Sequence, residues 1–231
     1  MTSEQDIVFQ DRTDAGRQLA QALAGIRLRD PVVLALPRGG VPLGCEIARS
    51  LNAPLDLLLV RKIGAPGHSE YGIGAVIEGR PPQRVIDADA VRYSRASETY
   101  IEEETRRQME VIARRRKLYF GGRAPLDLTG RDIVVVDDGI ATGNTVRAAL
   151  KGLRGRGAGR VVLAVPVAPS DVAERFRAEV DDLVCLKRVD DFSSVGEHYA
   201  DFRQLTDEEV LRLLAKSQPE RGTPFSLSRS S

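Results

Sequence analysis

Two adjacent carboxylates, Asp137 and Asp138, follow four apolar β-branched residues, Ile133 to Val136, and precede a loop of small residues ending in Thr142-Gly143-Asn144-Thr145. At the end of a buried strand, such carboxylates can accept hydrogen bonds from the vicinal hydroxyls of a ribose. They also offer negative charge to Mg²⁺, through water, because that ion releases its waters reluctantly. Ala141, Thr142, Gly143, Asn144 and Thr145 can turn backbone N–H groups and two hydroxyls into the opening of a helix, where the N-terminus favours an anion. A strand, an acid pair and a phosphate cradle in this order describe a ribose 5-phosphate site. A Walker loop does not fit: Gly139 and Gly143 enclose three residues, and Asn144 stands where a Lys is required. Taken singly, the acid pair is an ordinary turn and the TGNT segment an ordinary helix cap; the specificity lies in their combination.

Five short apolar runs must position these groups: VVLAL at 32–36, LDLLLV at 55–60, DIVVVD at 132–137, VVLAVPVA at 161–168 and DLVCL at 182–186. Near-continuous apolarity over such lengths predicts strands covered on both faces, hence a parallel sheet. Helical periodicity at 41–51, 144–154 and 170–179 supplies crossovers, assumed right-handed. The expected fold is α/β, an open doubly wound and mainly parallel sheet with flanking helices, with ligands beyond the carboxyl ends of its strands.

Residues 61–131 break the alternation. A Gly-rich polar stretch, RKIGAPGHSEYGIG, predicts a flexible loop over about 61–74, followed by short strands near AVIEG and RVID and a long inserted helix over about 97–119. Glu102 with Arg106, Glu103 with Arg107 and Glu110 with Arg114 give that helix a solvated face. Thr206 with Glu209 forms a capping-box pattern that opens a helix running to about Ala215. The expected organisation is one domain over 1–216 and a disordered polar tail over 217–231.

With 231 residues, 42% of them hydrophobic, the chain can bury one substantial core. Lys and Arg number 34 against 33 Asp and Glu, so nothing drives bulk binding to nucleic acid or acidic membranes. Cys45 and Cys185 lack the spacing of a disulfide framework or thiolate metal site, and neither His68 nor His198 has metal-ligand spacing. No leader pattern or spanning segment is evident, which predicts a cytoplasmic protein.

The segment 133–145 resembles the PRPP-binding motif of type I phosphoribosyltransferases: four apolar residues, two acids, a short loop and Thr-Gly-x-Thr. LPRGGVPLG, RKIGAPGHSEYGIGAV, RRRKLYFGGR and VDDFSSVGEHYADFRQLTDEEV extend the likeness, over roughly residues 8–214, to bacterial members of unassigned acceptor. The resemblance implies a Mg²⁺-dependent exchange at ribose C1, in which pyrophosphate of 5-phosphoribosyl-1-pyrophosphate (PRPP) leaves and a nitrogenous base arrives. By position, Asp137 and Asp138 would hold the ribose hydroxyls, and residues 141–145 the 5′-phosphate. Arg38, Gly39 and Gly40 would bind pyrophosphate beside a helix N-terminus, the glycines allowing close approach and unusual dihedrals. Arg61 and Lys62, opening the loop, would neutralise departing pyrophosphate. A hood over about 187–203 would cover the base, with Phe192 and Val195 as its contacts. Oxopurine-using members carry an Asp before Thr-Gly, where this chain has Ala141. That argues against an oxopurine and leaves the acceptor open, possible purines included; no replacement proton-transfer group is evident at that position, and Glu70 in the loop is one candidate. The family also implies a homodimer. The rival reading is a PRPP- or nucleotide-sensing regulator on the same fold.

Overall fold

In the computed structural model, which describes residues 9–79, 81–154 and 156–217, the chain begins with α1 (Arg12–Leu23), β1 (Val32–Ala35), α2 (Gly40–Leu51) and β2 (Leu55–Leu57). It continues through β3 (Val60–Ala65), β4 (His68–Ile77), β5 (Gln83–Ile86), α3 (Ala88–Ser94) and α4 (Glu98–Phe120). It closes with β6 (Ile133–Val136), α5 (Asn144–Arg154), β7 (Val161–Pro169), α6 (Ser170–Arg177), β8 (Asp182–Val189) and α7 (Asp207–Ser217). The main sheet is parallel throughout, in the order β2-β1-β6-β7-β8. Alternation divides its side chains between two cores. Val33, Ala35, Val134, Val136, Val162 and Ala164 face α1, α2 and α7. Val32, Leu34, Ile133, Val135, Leu163 and Val165 face α5 and α6. Burial on both faces is why these strands are nearly continuous in apolar residues.

Three expectations need correction, and one helix was not foreseen. The run 55–60 is not one strand: β1 offers no partner beyond Ala35, so β2 ends at Leu57 and the chain enters a second, antiparallel sheet in which Val60 pairs with Ile77. The segment 61–74 is not a loop but the greater part of the β3–β4 hairpin, turned at Pro66-Gly67. Gly64, Gly72 and Gly74 and the polar residues between them mimic a loop because they sit within the ladder rather than at its end. Lys187 to Val189 belong to β8, so the hood begins after that strand. Helix α1 has no counterpart in the sequence reading, because its buried face uses Ala15, Gly16, Leu19, Ala20 and Leu23, a stripe weak in large apolar groups. The Asp11 side chain caps it, accepting from the Asp14 N–H at 2.7 Å.

The inserted helix α4 lies within a residue of its expected bounds, capped by Ser97 and stopped at Gly121. Thr206 and Glu209 make the reciprocal bonds of a capping box: the Glu209 N–H donates to Thr206 Oγ1 at 3.2 Å and the Thr206 N–H to Glu209 Oε2 at 2.9 Å. Residues 218–231 of the expected tail lie outside the described residues. Among the described residues, no helix is long and apolar enough to cross a membrane.

Candidate active site at the carboxyl ends of β1 and β6

From β1 the chain moves outward to β2 and later returns to β6 on the other side of β1, so a crevice opens between the carboxyl ends of β1 and β6. The loop after β1, Pro37 to Gly40, meets the acid pair there. A Cβ on Gly39 would lie 2.0 Å from Asp138 Oδ2, and one on Gly40 would lie 2.6 Å from the Val136 carbonyl oxygen. Both glycines are therefore required by close approach. The unusual dihedrals expected of them are not found, since Gly39 is right-handed helical (φ −59°, ψ −40°) and Gly40 opens α2. The Pro37–Arg38 peptide bond is cis.

The two carboxylates occupy different surroundings. Asp138 receives the Arg12 Nε–H at 2.8 Å, and its main-chain carbonyl accepts from the Tyr199 hydroxyl at 2.6 Å. Arg12 in turn lies 4.0 Å over the Phe202 ring and donates through Nη1 to the Arg203 carbonyl at 2.9 Å. One buried guanidinium thus joins the start of α1, the acid pair and the hood. Sequence reasoning missed it, and the only available signal was a basic residue just inside an Asp-capped helix. Asp137 accepts the Asp138 N–H at 2.9 Å. Burial, and then the adjacent Asp138 charge, push its pKa well above the ordinary carboxylate range.

The loop after the acids is pinned at Ile140, whose N–H donates to the Val167 carbonyl at 2.9 Å. Gly143 takes φ +75°, and a Cβ there would lie 2.5 Å from the Phe176 ring, so a side chain is excluded on two counts. Around this anchor Ala141, Thr142, Asn144 and Thr145 are exposed at the opening of α5, as a cradle for an external phosphate requires.

Asp137 opens on a cavity of about 220 Å³ lined also by Pro37, Arg61, Ile112, Arg115 and Thr145. Arg61 and Thr145 continue into a groove of about 1010 Å³ between the hairpin and α5, which adds Lys62, Tyr71, Asn144, Arg147 and Lys151. The structure therefore brings Asp137, Arg61 and Thr145 together. Lys62, one residue along β3, lines the groove only, where its Nζ donates to the Glu70 carbonyl at 2.9 Å and to Glu70 Oε2 at 3.2 Å. Arg38 does not line the cavity: its Nη1 lies 3.8 Å from Asp207 Oδ1, which also accepts from the Tyr119 hydroxyl at 2.5 Å. That bond, after burial, raises the Tyr119 pKa to about 12. Phe192 stacks on His198, with ring centroids 5.7 Å apart. Val195 covers Gly139, where a Cβ would lie 2.4 Å from its Cγ1. Both hood residues make internal contacts.

Among the described residues no three His, Cys, Asp or Glu side chains gather as a metal site. A pair of carboxylates beside a cavity lined by two arginines fits Mg²⁺ that would complete its shell with water and ligand oxygens, since this ion seldom uses an all-protein cage.

A parallel sheet with an acid pair and a small-residue helix opening at the switch point is the arrangement that the likeness to phosphoribosyltransferases predicts. The phosphoribosyl transferase domain model matches residues 10–202, and the chain belongs to that family. It is 45% identical over 210 residues to the Mycobacterium tuberculosis (strain H37Rv) protein named "Putative phosphoribosyl transferase", covering 91% of this chain and 47% of that one. The chain spans about half the length of the curated relatives it matches in this way. It is also similar to the crystal structure of TT1426 from Thermus thermophilus, with a TM-score of 0.80 and 45% identity over 92% of this chain and all of that one. A shorter likeness, 54% over 44 residues, links 19% of the chain to 25% of the bifunctional protein PyrR of Streptococcus equi.

Proposed function

We propose that the chain is a Mg²⁺-dependent phosphoribosyltransferase that exchanges the pyrophosphate of PRPP for a nitrogenous base at ribose C1. The observation that carries this reading is the junction of Asp137, Arg61 and Thr145 in one cavity at the β1/β6 switch point. In this reading Asp137 would bind the ribose, Arg61 the pyrophosphate and Thr145 the 5′-phosphate of one ligand.

In the reaction, the bond between C1 and the pyrophosphate oxygen breaks and its electron pair leaves with pyrophosphate. The lone pair of an acceptor nitrogen forms the new bond to C1, and the acceptor's surplus proton passes to water or to a base. The acid pair offsets positive charge developing on the ribose ring, while Arg61 offsets negative charge developing on the leaving oxygen. Mg²⁺ arriving with PRPP would be held by Asp137 and Asp138 through water and would further neutralise the pyrophosphate oxygens. The β3–β4 hairpin, carrying Arg61 and Lys62 and flanking the groove, is the element suited to exclude water from the site. Ion pairing of Asp138 with Arg12 makes Asp137 the carboxylate more available to the ligand. Glu70, held by Lys62 at the groove, is a candidate to take the acceptor's proton.

The reading is tested by measuring pyrophosphate release from PRPP and Mg²⁺ across a panel of purines, pyrimidines and small amines, with Asp137→Asn/Asp138→Asn as control. Release that requires one acceptor class and disappears in the double variant is expected. PRPP binding without release for any acceptor would instead favour a PRPP-sensing regulator.

A further inference from the structure

Three consecutive arginines, Arg114 to Arg116, lie on α4, and the fold gives each a different environment. Arg114 is exposed and reaches Glu110, one turn back, at 4.0 Å. Arg116 is buried: its Nη1 donates to Asp56 Oδ1 at 2.6 Å, its Nε donates to Glu78 Oε1 at 2.8 Å, and Nη2 also meets Glu78. Those bonds tie α4 to the end of β4 and to β2, and so fix the rotation of the helix about its axis. Arg115 is thereby aimed at the cavity that holds Asp137, Arg61, Pro37 and Thr145. Ile112, one turn before it, is buried in the same wall, and Gln108, a further turn back, accepts the Arg61 Nε–H at 3.1 Å. One face of α4 thus serves the cavity with three residues in succession.

No carboxylate pairs with Arg115 among the described residues, and the hydrogen-bond partner of Arg61 is the neutral Gln108. Lys62, in contrast, is matched by Glu70. Burial and the nearby Arg115 charge both lower the Arg61 pKa. Two guanidiniums therefore face one small cavity in which Asp137 is, among the described residues, the one carboxylate of the lining. Like charges placed so raise the energy of the empty site and suit a ligand of several negative charges, which planar guanidinium forks can grip through paired oxygens.

We propose that Arg115 is a pyrophosphate-binding residue, by which the long helix α4 completes with Arg61 the site for the leaving group. The assignment rests on the PRPP reading above and adds α4 to the machinery of transfer. It gives the leaving pyrophosphate a second cation, from α4, in the cavity that Asp137 also lines.

The test is calorimetric titration of the full chain with pyrophosphate, PRPP and ribose 5-phosphate, each with Mg²⁺, for the wild type, Arg115→Ala, Arg115→Lys and Arg114→Ala. Arg115→Ala is expected to weaken pyrophosphate and PRPP roughly tenfold or more, as loss of a charge-assisted contact does, and to leave ribose 5-phosphate within about twofold. Arg115→Lys should recover part of the loss, Arg114→Ala should match the wild type, and thermal melts should confirm that each variant folds. Pyrophosphate affinity unchanged in Arg115→Ala, or an equal loss for ribose 5-phosphate, would overturn the assignment while leaving PRPP binding by the wild type intact. A wild type that binds none of the three ligands would refute the PRPP reading itself, and the assignment with it.

Discussion

Burial and the Asp138 charge let Asp137 hold its proton to higher pH in the folded chain than in the unfolded one. Its contribution to stability is therefore complete below the unfolded pKa and is lost as pH rises through the folded value. Asp137→Asn keeps an oxygen for the Asp138 N–H and removes the buried charge. A gain of about 1 kcal/mol corresponds to roughly 2–4 °C in a chain of this size, so scanning calorimetry at neutral pH should show the variant melting higher. The difference should shrink toward about pH 4, where the unfolded carboxyl is itself half protonated. Its transferase activity should fall on the order of a hundredfold or more, as removal of a transition-state electrostatic partner does. A variant that melts lower at both pH values would remove the argument that Asp137 is held against its solvation preference. That the two acids end a strand and that small residues lead into a helix was legible in the sequence because they form one local segment with a fixed order. The division of labour was not, because Arg12 lies 126 positions from the Asp138 that it neutralises.

At the level of elements, α4 is the clearest case of a partial reading. Its length followed from periodicity and caps, and two of the three expected acid-first pairs form, Glu103 with Arg107 and Glu110 with Arg114. What a one-dimensional pattern cannot show is that Arg116 turns inward to meet Asp56, 1% exposed, and Glu78, 7% exposed. Nothing in a charged stretch distinguishes the arginine on the buried face from those in water until the partner strands are placed. Removing that guanidinium takes from two buried carboxylates their ion-pair partner, and breaking such a pair costs about 3–5 kcal/mol. Urea denaturation of Arg116→Ala should show a loss of that order, whereas Arg114→Ala should lie within roughly 0.5 kcal/mol of the wild type. Similar midpoints for both would mean that the buried cluster does not hold α4 in place. The hairpin was hidden for a different reason: Gly64, Gly72 and Gly74 lie in paired positions of the ladder, where composition alone reads as loop.

For the whole molecule, the parallel sheet and its switch point were readable because runs of β-branched residues alternate with amphipathic helices. The closure of the chain upon itself was not. Phe9 bridges Tyr199 in parallel, its N–H donating to the His198 carbonyl at 3.1 Å, and Arg12 reaches the Arg203 carbonyl across 191 positions. These long-range contacts seat α1 and the hood against the loop that carries the acids. In the hood, Val195 packs over Gly139 and Phe192 stacks on His198. The central claim, that the β1/β6 crevice is a PRPP site, is tested most directly by calorimetric titration of PRPP and Mg²⁺ into the wild type and Thr142→Ala/Thr145→Ala. One PRPP bound per chain, displaced by ribose 5-phosphate and weakened roughly tenfold or more by loss of the two hydroxyl donors to a charged phosphate, is the predicted result. Absence of PRPP binding by the wild type, or binding indifferent to both ribose 5-phosphate and the paired substitution, would contradict it.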